Sequence, residues 1–132
     1  MDQIASATGI VRFAKRFLEK KEASLLREFE PLTAKNVIDA AKAGDRIALE
    51  SLTYCMSFLG KMIADVSYVI DPEAVIIGGG VSKAGEFLLN MIMEQYSRWP
   101  TLKSGSPVFA LARLYGDAGM YGAARLALDS IE

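Results

Sequence analysis

The segment Ala74-Val75-Ile76-Ile77-Gly78-Gly79-Gly80-Val81-Ser82-Lys83-Ala84-Gly85 gathers the residue types that could meet a nucleotide. Its apolar, β-branched start suits a strand covered on both faces. Three glycines at the carboxyl end leave main chain bare enough for a ligand to lie against it. The pattern predicts that these glycines open a helix whose first amides point at the same place. A tight strand-to-helix turn without a ligand uses glycine in the same way. Three familiar motifs fail on spacing. A dinucleotide fingerprint counted from Gly78 needs a small residue where Lys83 stands, and counted from Gly80 it needs glycine where Ser82 stands. A Walker loop needs Lys after its last glycine, but Gly85 precedes Glu86. A nucleophile elbow around Ser82 ends in Ala84, and the chain contains no histidine for a Ser-His relay.

The elements that must hold this segment can be read along the 132 residues, of which 52% are apolar, with a formal charge of −1. That composition suits one domain over residues 1–132 and indicates neither disorder nor a basic face for nucleic acid. No stretch reads as a signal peptide. The most apolar long stretch, Ile47 to Ile70, carries Glu50, Lys61 and Asp65 and reads as a core helix rather than a bilayer span. The expectation is a cytoplasmic protein without membrane partners. The single cysteine, Cys55, cannot form an internal disulfide and reads as a buried, inert thiol, and without histidine no metal site is expected in the chain.

Ser6 or Thr8 can cap a first helix whose apolar positions Ile10, Val11, Phe13, Ala14, Phe17 and Leu18 recur at helical spacing. A short helical piece over 23–28 stops before Pro31. Thr33 starts another helix that ends at Gly44, and Asp45 caps the longest one, with Ile47, Leu52, Cys55, Leu59, Met62, Ile63 and Val66 as its stripe. Gly60 marks close helix packing. Asp71-Pro72 turns the chain into the strand before the glycines. A helix through Phe87, Leu88, Met91, Ile92 and Tyr96 follows them, then a second buried strand over 108–114, then a final helix capped by Asp117. In that last helix Gly119, Gly122, Ala123 and Ala124 keep one face small. Two parallel strands are too few to serve so many helices, so the chain reads as an incomplete α/β fold, helix-rich with a small parallel sheet.

Three segments then stand in one order: Ala5-Ser6-Ala7-Thr8-Gly9-Ile10-Val11, the Asp71-Pro72-Glu73 strand leading to Gly78-Gly79-Gly80-Val81-Ser82, and Asp117-Ala118-Gly119-Met120-Tyr121-Gly122-Ala123-Ala124. In these, and in register over almost its whole length, the sequence resembles the carboxyl-terminal part of the ROK-family sugar kinases. The resemblance implies an actin-like ATPase (ribonuclease H-like) fold of two lobes closing on sugar and ATP, of which this chain would be most of the second lobe. It implies that Gly78, Gly79 and Gly80 floor the nucleotide site with Val81 and Ser82 at its edge, and that Thr8 and Gly9 lie close to the nucleotide. Asp2 stands where the family usually has a sugar-binding glutamate, one methylene longer. Tyr115-Gly116 stands where Gly-Asn is common.

The implied activity of the parent protein is transfer of the ATP γ-phosphoryl group to a hydroxyl of glucose or a related hexose, giving glucose 6-phosphate, with Mg2+ accompanying ATP. No residue of this chain is a candidate for the catalytic base, and the fragment alone is expected to bind nucleotide weakly and to be inactive. The phosphate loop, the base and a structural zinc motif would lie in the missing amino-terminal lobe. Two other readings stand beside this one. The chain could be the sugar-sensing lobe of a ROK-type transcriptional repressor, whose DNA-binding part would lie upstream, or a catalytically dead lobe kept for contacts. Open strand edges and an uncovered apolar helix face predict a homo-oligomer.

Overall fold

The computed structural model describes residues 5–19, 23–100, 105–114 and 117–130. Each early helix starts at a side-chain cap. Ser6 Oγ accepts from the Gly9 amide at 3.1 Å and opens α1, Ala7–Leu18. Thr33 and Asn36 form a reciprocal capping box at the start of α2, Ala34–Lys42. Gly44 then turns with φ +90°, a conformation that favours glycine, and delivers Asp45 to the head of α3, Arg46–Ile70.

Asp45 joins three pieces of chain. Its carboxylate accepts from the Ala48 amide at 2.9 Å, as an N-cap does, and also from the Leu25 amide at 2.7 Å and the Ser24 hydroxyl at 3.0 Å. The short 3-10 helix Leu25–Glu28 is thereby tied to the start of α3. Burial alone would push the Asp45 carboxyl up, but the donors from Ala48, Leu25, Ser24 and Ile47 together outweigh it and hold it below its ordinary value.

Helix α3 is the axis of the fold. Helices α1 and α2 pack on it and on each other, while α4, Glu86–Ser97, packs along it elsewhere. Ile47, Leu52, Cys55 and Ile63 are buried as the stripe predicts, and so are Ala48, Met56, Gly60 and Ala64 on neighbouring faces, because two layers cover this helix. Val66 departs from the expectation and is 46% exposed, although Ile63, Ala64 and Ser67 on the same turns of the helix are buried. By length and composition α3 is able to cross a membrane, but half of its most apolar window lies inside the fold, as in a core helix. Burial pushes the Cys55 thiol up to about 11, with Arg12 opposing, so the thiolate is scarce near neutral pH.

Gly60 sets the distance between α3 and α4. A Cβ there would sit 2.8 Å from the Gln95 main chain and from the Tyr96 amide nitrogen. The α3 helix then ends in a left-handed Asp71 before Pro72 and leads to β1, Ala74–Ile77. β1 pairs in parallel with β2, Val108–Leu111, in the register Ala74↔Val108 to Ile77↔Leu111. Tyr96 and Phe109, with ring centroids 5.1 Å apart, fasten α4 to β2.

Three expectations need correction. β1 is covered on one face only: Val75 and Ile77 are half-buried, while Ile76 is 60% exposed. The apolar run is that of a central strand, and the described sheet has only two strands. β2 stops at Leu111, although Ala112 still donates to Ile77 O at 2.8 Å. Asp117 stands at the head of α5, Ala118–Asp129, without making a cap hydrogen bond. Every described side chain of α5 from Gly119 onward is exposed, including Met120, Tyr121, Leu126 and Leu128, and among the described residues no atom lies within 4 Å of the Cβ positions of Gly119 and Gly122 on its small face.

Replacing Asp45 with Ala removes the cap and strands the donors of Leu25 and Ser24, an expected loss of about 2–4 kcal/mol at neutral pH in denaturant unfolding. Because the folded carboxyl lies below 3.8, its contribution is complete above that value and is lost as pH falls through the lower folded value. The difference between the wild type and Asp45→Ala should therefore be constant from neutral pH down to about 5 and shrink below about 4. Gly60→Ala forces α3 and α4 apart and should destabilise by about 1–3 kcal/mol in the same measurement.

Candidate functional site

The glycine run leaves β1 as an exposed loop. Gly79 adopts φ +80° and ψ −172°, a region that residues with a Cβ essentially do not visit, while open space surrounds the place a Cβ would occupy. The backbone is thus shaped by its own dihedrals and lies bare toward solvent. Gly80 does not open the following α-helix directly. A 3-10 turn, Gly80–Ala84, intervenes, and Gly85 with φ +73° leads into α4 at Glu86 without a side-chain cap. The amides nearest the glycines therefore belong to this short turn, which corrects the expectation of a helix starting at Gly80.

Ser82 is fully buried, and its hydroxyl donates to Gly79 O at 2.6 Å. The Ser82 amide reaches the same carbonyl at 3.2 Å, and Gly85 N donates to Ser82 O at 3.0 Å. Ser82 is thus turned inward as a clamp on the glycine loop.

Beside this turn lies a cavity of about 280 Å³, lined by Ala7 from the start of α1, by Ile38, Asp39 and Lys42 from α2, and by Lys83 and Ala84 from the turn. Two segments more than seventy positions apart in sequence meet here: the start of α1 and the residues just after Ser82. Thr8 is exposed and lines an open groove that adjoins the cavity at Ala7 and Ala34. Gly9 is buried and donates its amide to Ser6. Asp2, Tyr115 and Gly116 lie outside the described residues.

The contribution of α2 is absent from the sequence reading. Lys35, Asp39 and Lys42 recur at helical spacing on the face beside Ile38, a signal present in the sequence but indistinguishable there from a solvated helix face. Lys35 and Asp39 form an exposed pair at 2.7 Å on the rim. Lys42 Nζ donates to Ala84 O at 3.1 Å and stands 5.8 Å from the centre of the Phe87 ring, joining α2 to the turn. The walls are apolar and the rim carries three ammonium groups and one carboxylate, a combination suited to a flat, partly apolar ligand with an anionic end. Among the described residues no group of His, Cys, Asp and Glu could hold a metal ion.

The ROK family model matches residues 1–130, and the chain belongs to the ROK family. Glucokinase of Halalkalibacterium halodurans is 39% identical to it over 128 residues, which is 92% of this chain and 38% of that protein. Among solved structures, a ROK family glucokinase from Streptomyces griseus in complex with glucose and AMPPNP superposes with a TM-score of 0.81 at 33% identity. The alignment covers 94% of this chain and 43% of that one. A ROK family transcriptional regulator, a homolog of the Escherichia coli MLC protein, superposes with a TM-score of 0.78 at 26% identity over 93% of this chain and 31% of that one. The chain thus spans well under half the length of each of these relatives, and its fold class is that of the actin-like ROK sugar kinases.

Gly79→Ala should lower stability by about 1–3 kcal/mol, through its dihedrals rather than through any clash. Gly78, which has no positive φ and whose added Cβ would make an ordinary 3.5 Å contact with Ala112, should tolerate Ala with a smaller loss. Thermal melts of the two variants check the difference.

Proposed function

We propose that this chain is most of the second, nucleotide-side lobe of an ATP-dependent ROK sugar kinase, acting on glucose or a related hexose in the cytoplasm. The observation that carries the reading is the convergence of the start of α1 with the turn after the glycines around one cavity. The similarity to glucokinases, one of them seen with glucose and AMPPNP, supports it.

In this reading the base and ribose of ATP occupy the cavity, whose 280 Å³ suits part of a nucleotide rather than the whole. Gly78, Gly79 and Gly80 floor the phosphates with bare main chain, Val81 stands at the edge of that floor, and Ser82 holds its shape from beneath. Thr8 and Gly9 set the position of the α1 terminus. The ammonium groups of Lys42 and Lys83 favour a polyanion at the rim. Phosphoryl transfer needs donor and acceptor held in line, and these residues hold the donor. The γ-phosphorus–oxygen bond to ADP breaks as a bond to the sugar hydroxyl oxygen forms, and the hydroxyl proton passes to a base outside this chain. Asp2 would meet the sugar. Mg2+ would accompany ATP and partly neutralise its phosphates. The described residues offer no cluster of carboxylates for it, so no step is assigned to it here, and a structural zinc would belong to the other lobe.

The exposed face of β1 and the uncovered helix α5 support a second lobe, because both leave large apolar side chains in water. A sugar-sensing lobe of a repressor is the second reading, favoured by the superposition on the transcriptional regulator.

A coupled assay on the intact protein should show ATP-dependent formation of glucose 6-phosphate, and the 132-residue chain alone should show none. In the intact protein Lys42→Ala should weaken binding of a non-hydrolysable ATP analogue by roughly three- to tenfold in calorimetry, as expected for loss of one charge-assisted contact. No phosphorylation of any hexose, together with sugar-dependent DNA binding, would establish the repressor reading instead.

A further inference from the structure

The cavity beside the glycine turn has walls that can hold a flat ring and few groups that can read its edge. The side chains of Ala7, Ala34, Ile38 and Ala84 offer it carbon alone. The charged groups at the rim stand in water: Lys35 is 84% exposed and Asp39 51%, and the two already pair with each other at 2.7 Å. Lys42 donates to the Ala84 carbonyl at 3.1 Å, so that acceptor is engaged as well. Among the described residues, the buried side-chain polar atoms without a partner belong to Ser67 and Gln95. Neither lines this cavity.

We infer that the cavity selects a purine by the shape of its rings and not by the hydrogen-bonding groups on its edge, so that guanosine and inosine triphosphates serve as phosphoryl donors beside ATP. The inference rests on the nucleotide reading above and adds to it the class of donor. A site rejects a wrong ring strongly, by roughly ten-thousandfold, only where a buried donor or acceptor would be left unpaired, and apolar walls discriminate far less. Exchanging the 6-amino group of adenine for a carbonyl turns a donor into an acceptor. Here neither arrangement strands a buried group, because Asp39 and Lys35 offer an acceptor and a donor side by side and water reaches both. The added 2-amino group of guanine also has room. The cavity adjoins, at Ala7 and Ala34, a wider groove of about 530 Å³ that is open to solvent. A pyrimidine lacks the second ring and leaves part of the apolar wall in water, at a loss that grows with the uncovered area. The transfer keeps its form: the bond from the γ-phosphorus to the oxygen of GDP or IDP breaks as a bond to the sugar hydroxyl oxygen forms. The hydroxyl proton passes to the same base outside this chain.

Steady-state kinetics of the intact protein at saturating glucose, with a panel of nucleoside triphosphates, test this. The values of kcat/KM for GTP and ITP should lie within about tenfold of that for ATP, and those for CTP and UTP should fall below all three. Asp39→Asn, a change at an exposed position, should leave the ratio of GTP to ATP within about threefold of the wild type, since the carboxylate does not choose the base. Ala7→Leu fills the cavity from another exposed position and should raise KM for ATP and GTP by a common factor of about five. Transfer from ATP with GTP or ITP reduced more than tenfold overturns the inference and leaves the nucleotide reading standing. A ratio that Asp39→Asn shifts tenfold, a UTP as effective as the purines, or an Ala7→Leu with unchanged KM overturns it too. No transfer from any triphosphate, ATP included, overturns the nucleotide reading and this inference together.

Discussion

The near-contact between Gly60 and the main chain of Gln95 governs how this fold is assembled. With no Cβ at Gly60, α3 and α4 approach until an added carbon would stand 2.8 Å from Gln95 and Tyr96. That distance fixes α4, and α4 in turn positions the sheet through the Tyr96–Phe109 ring contact. At the other end of α3, Asp45 draws in the 3-10 helix and follows directly on the end of α2. One long helix therefore determines where both layers stand, and a displacement along it would be felt on each side.

The candidate site sits where those two layers come together. The glycine loop belongs to the β1–α4 side, whereas Ala7, Ile38 and Lys42 belong to the α1–α2 side. Lys42 bridges them directly, through the Ala84 carbonyl. The cavity is thus a seam rather than a hole within one element, which agrees with the tendency of ligand sites to lie between packed units. Much of its apolar wall and charged rim comes from α2, a helix whose buried side serves the core and whose outer side faces the cavity.

Local signals were the most legible part of this chain. Ser6, Thr33 and Asp45 act as caps, Gly44 and Asp71 end helices, and Gly60 marks a close approach, because each depends on residues within one or two turns. The start of α1 and the turn after the glycine run, singled out from sequence, do border one cavity, whose ligand is a proposal. What the sequence did not disclose depends on distant chain. Whether Lys35, Asp39 and Lys42 face water or a ligand is decided by a turn some forty residues later. Ile76 and Val66 have the composition of buried residues and are exposed, because the layers their apolar character serves are not supplied by the described residues. Asp117 has a capping side chain, yet its backbone is αR, with φ −91° and ψ −5°, rather than in the β region typical of a capping residue.

The inward hydroxyl of Ser82 has a thermodynamic consequence. By tying the Gly79 carbonyl from below, it restrains the middle of the glycine run, where the backbone has the least side chain to hold it. Glycine has the most conformational freedom to lose, so a loose run of this kind would have to be ordered by whatever lands on it. Here that ordering is already done by folding. In the proposed reading, a phosphate landing there would meet a preorganised surface, and its affinity would not be diminished by freezing the main chain beneath it.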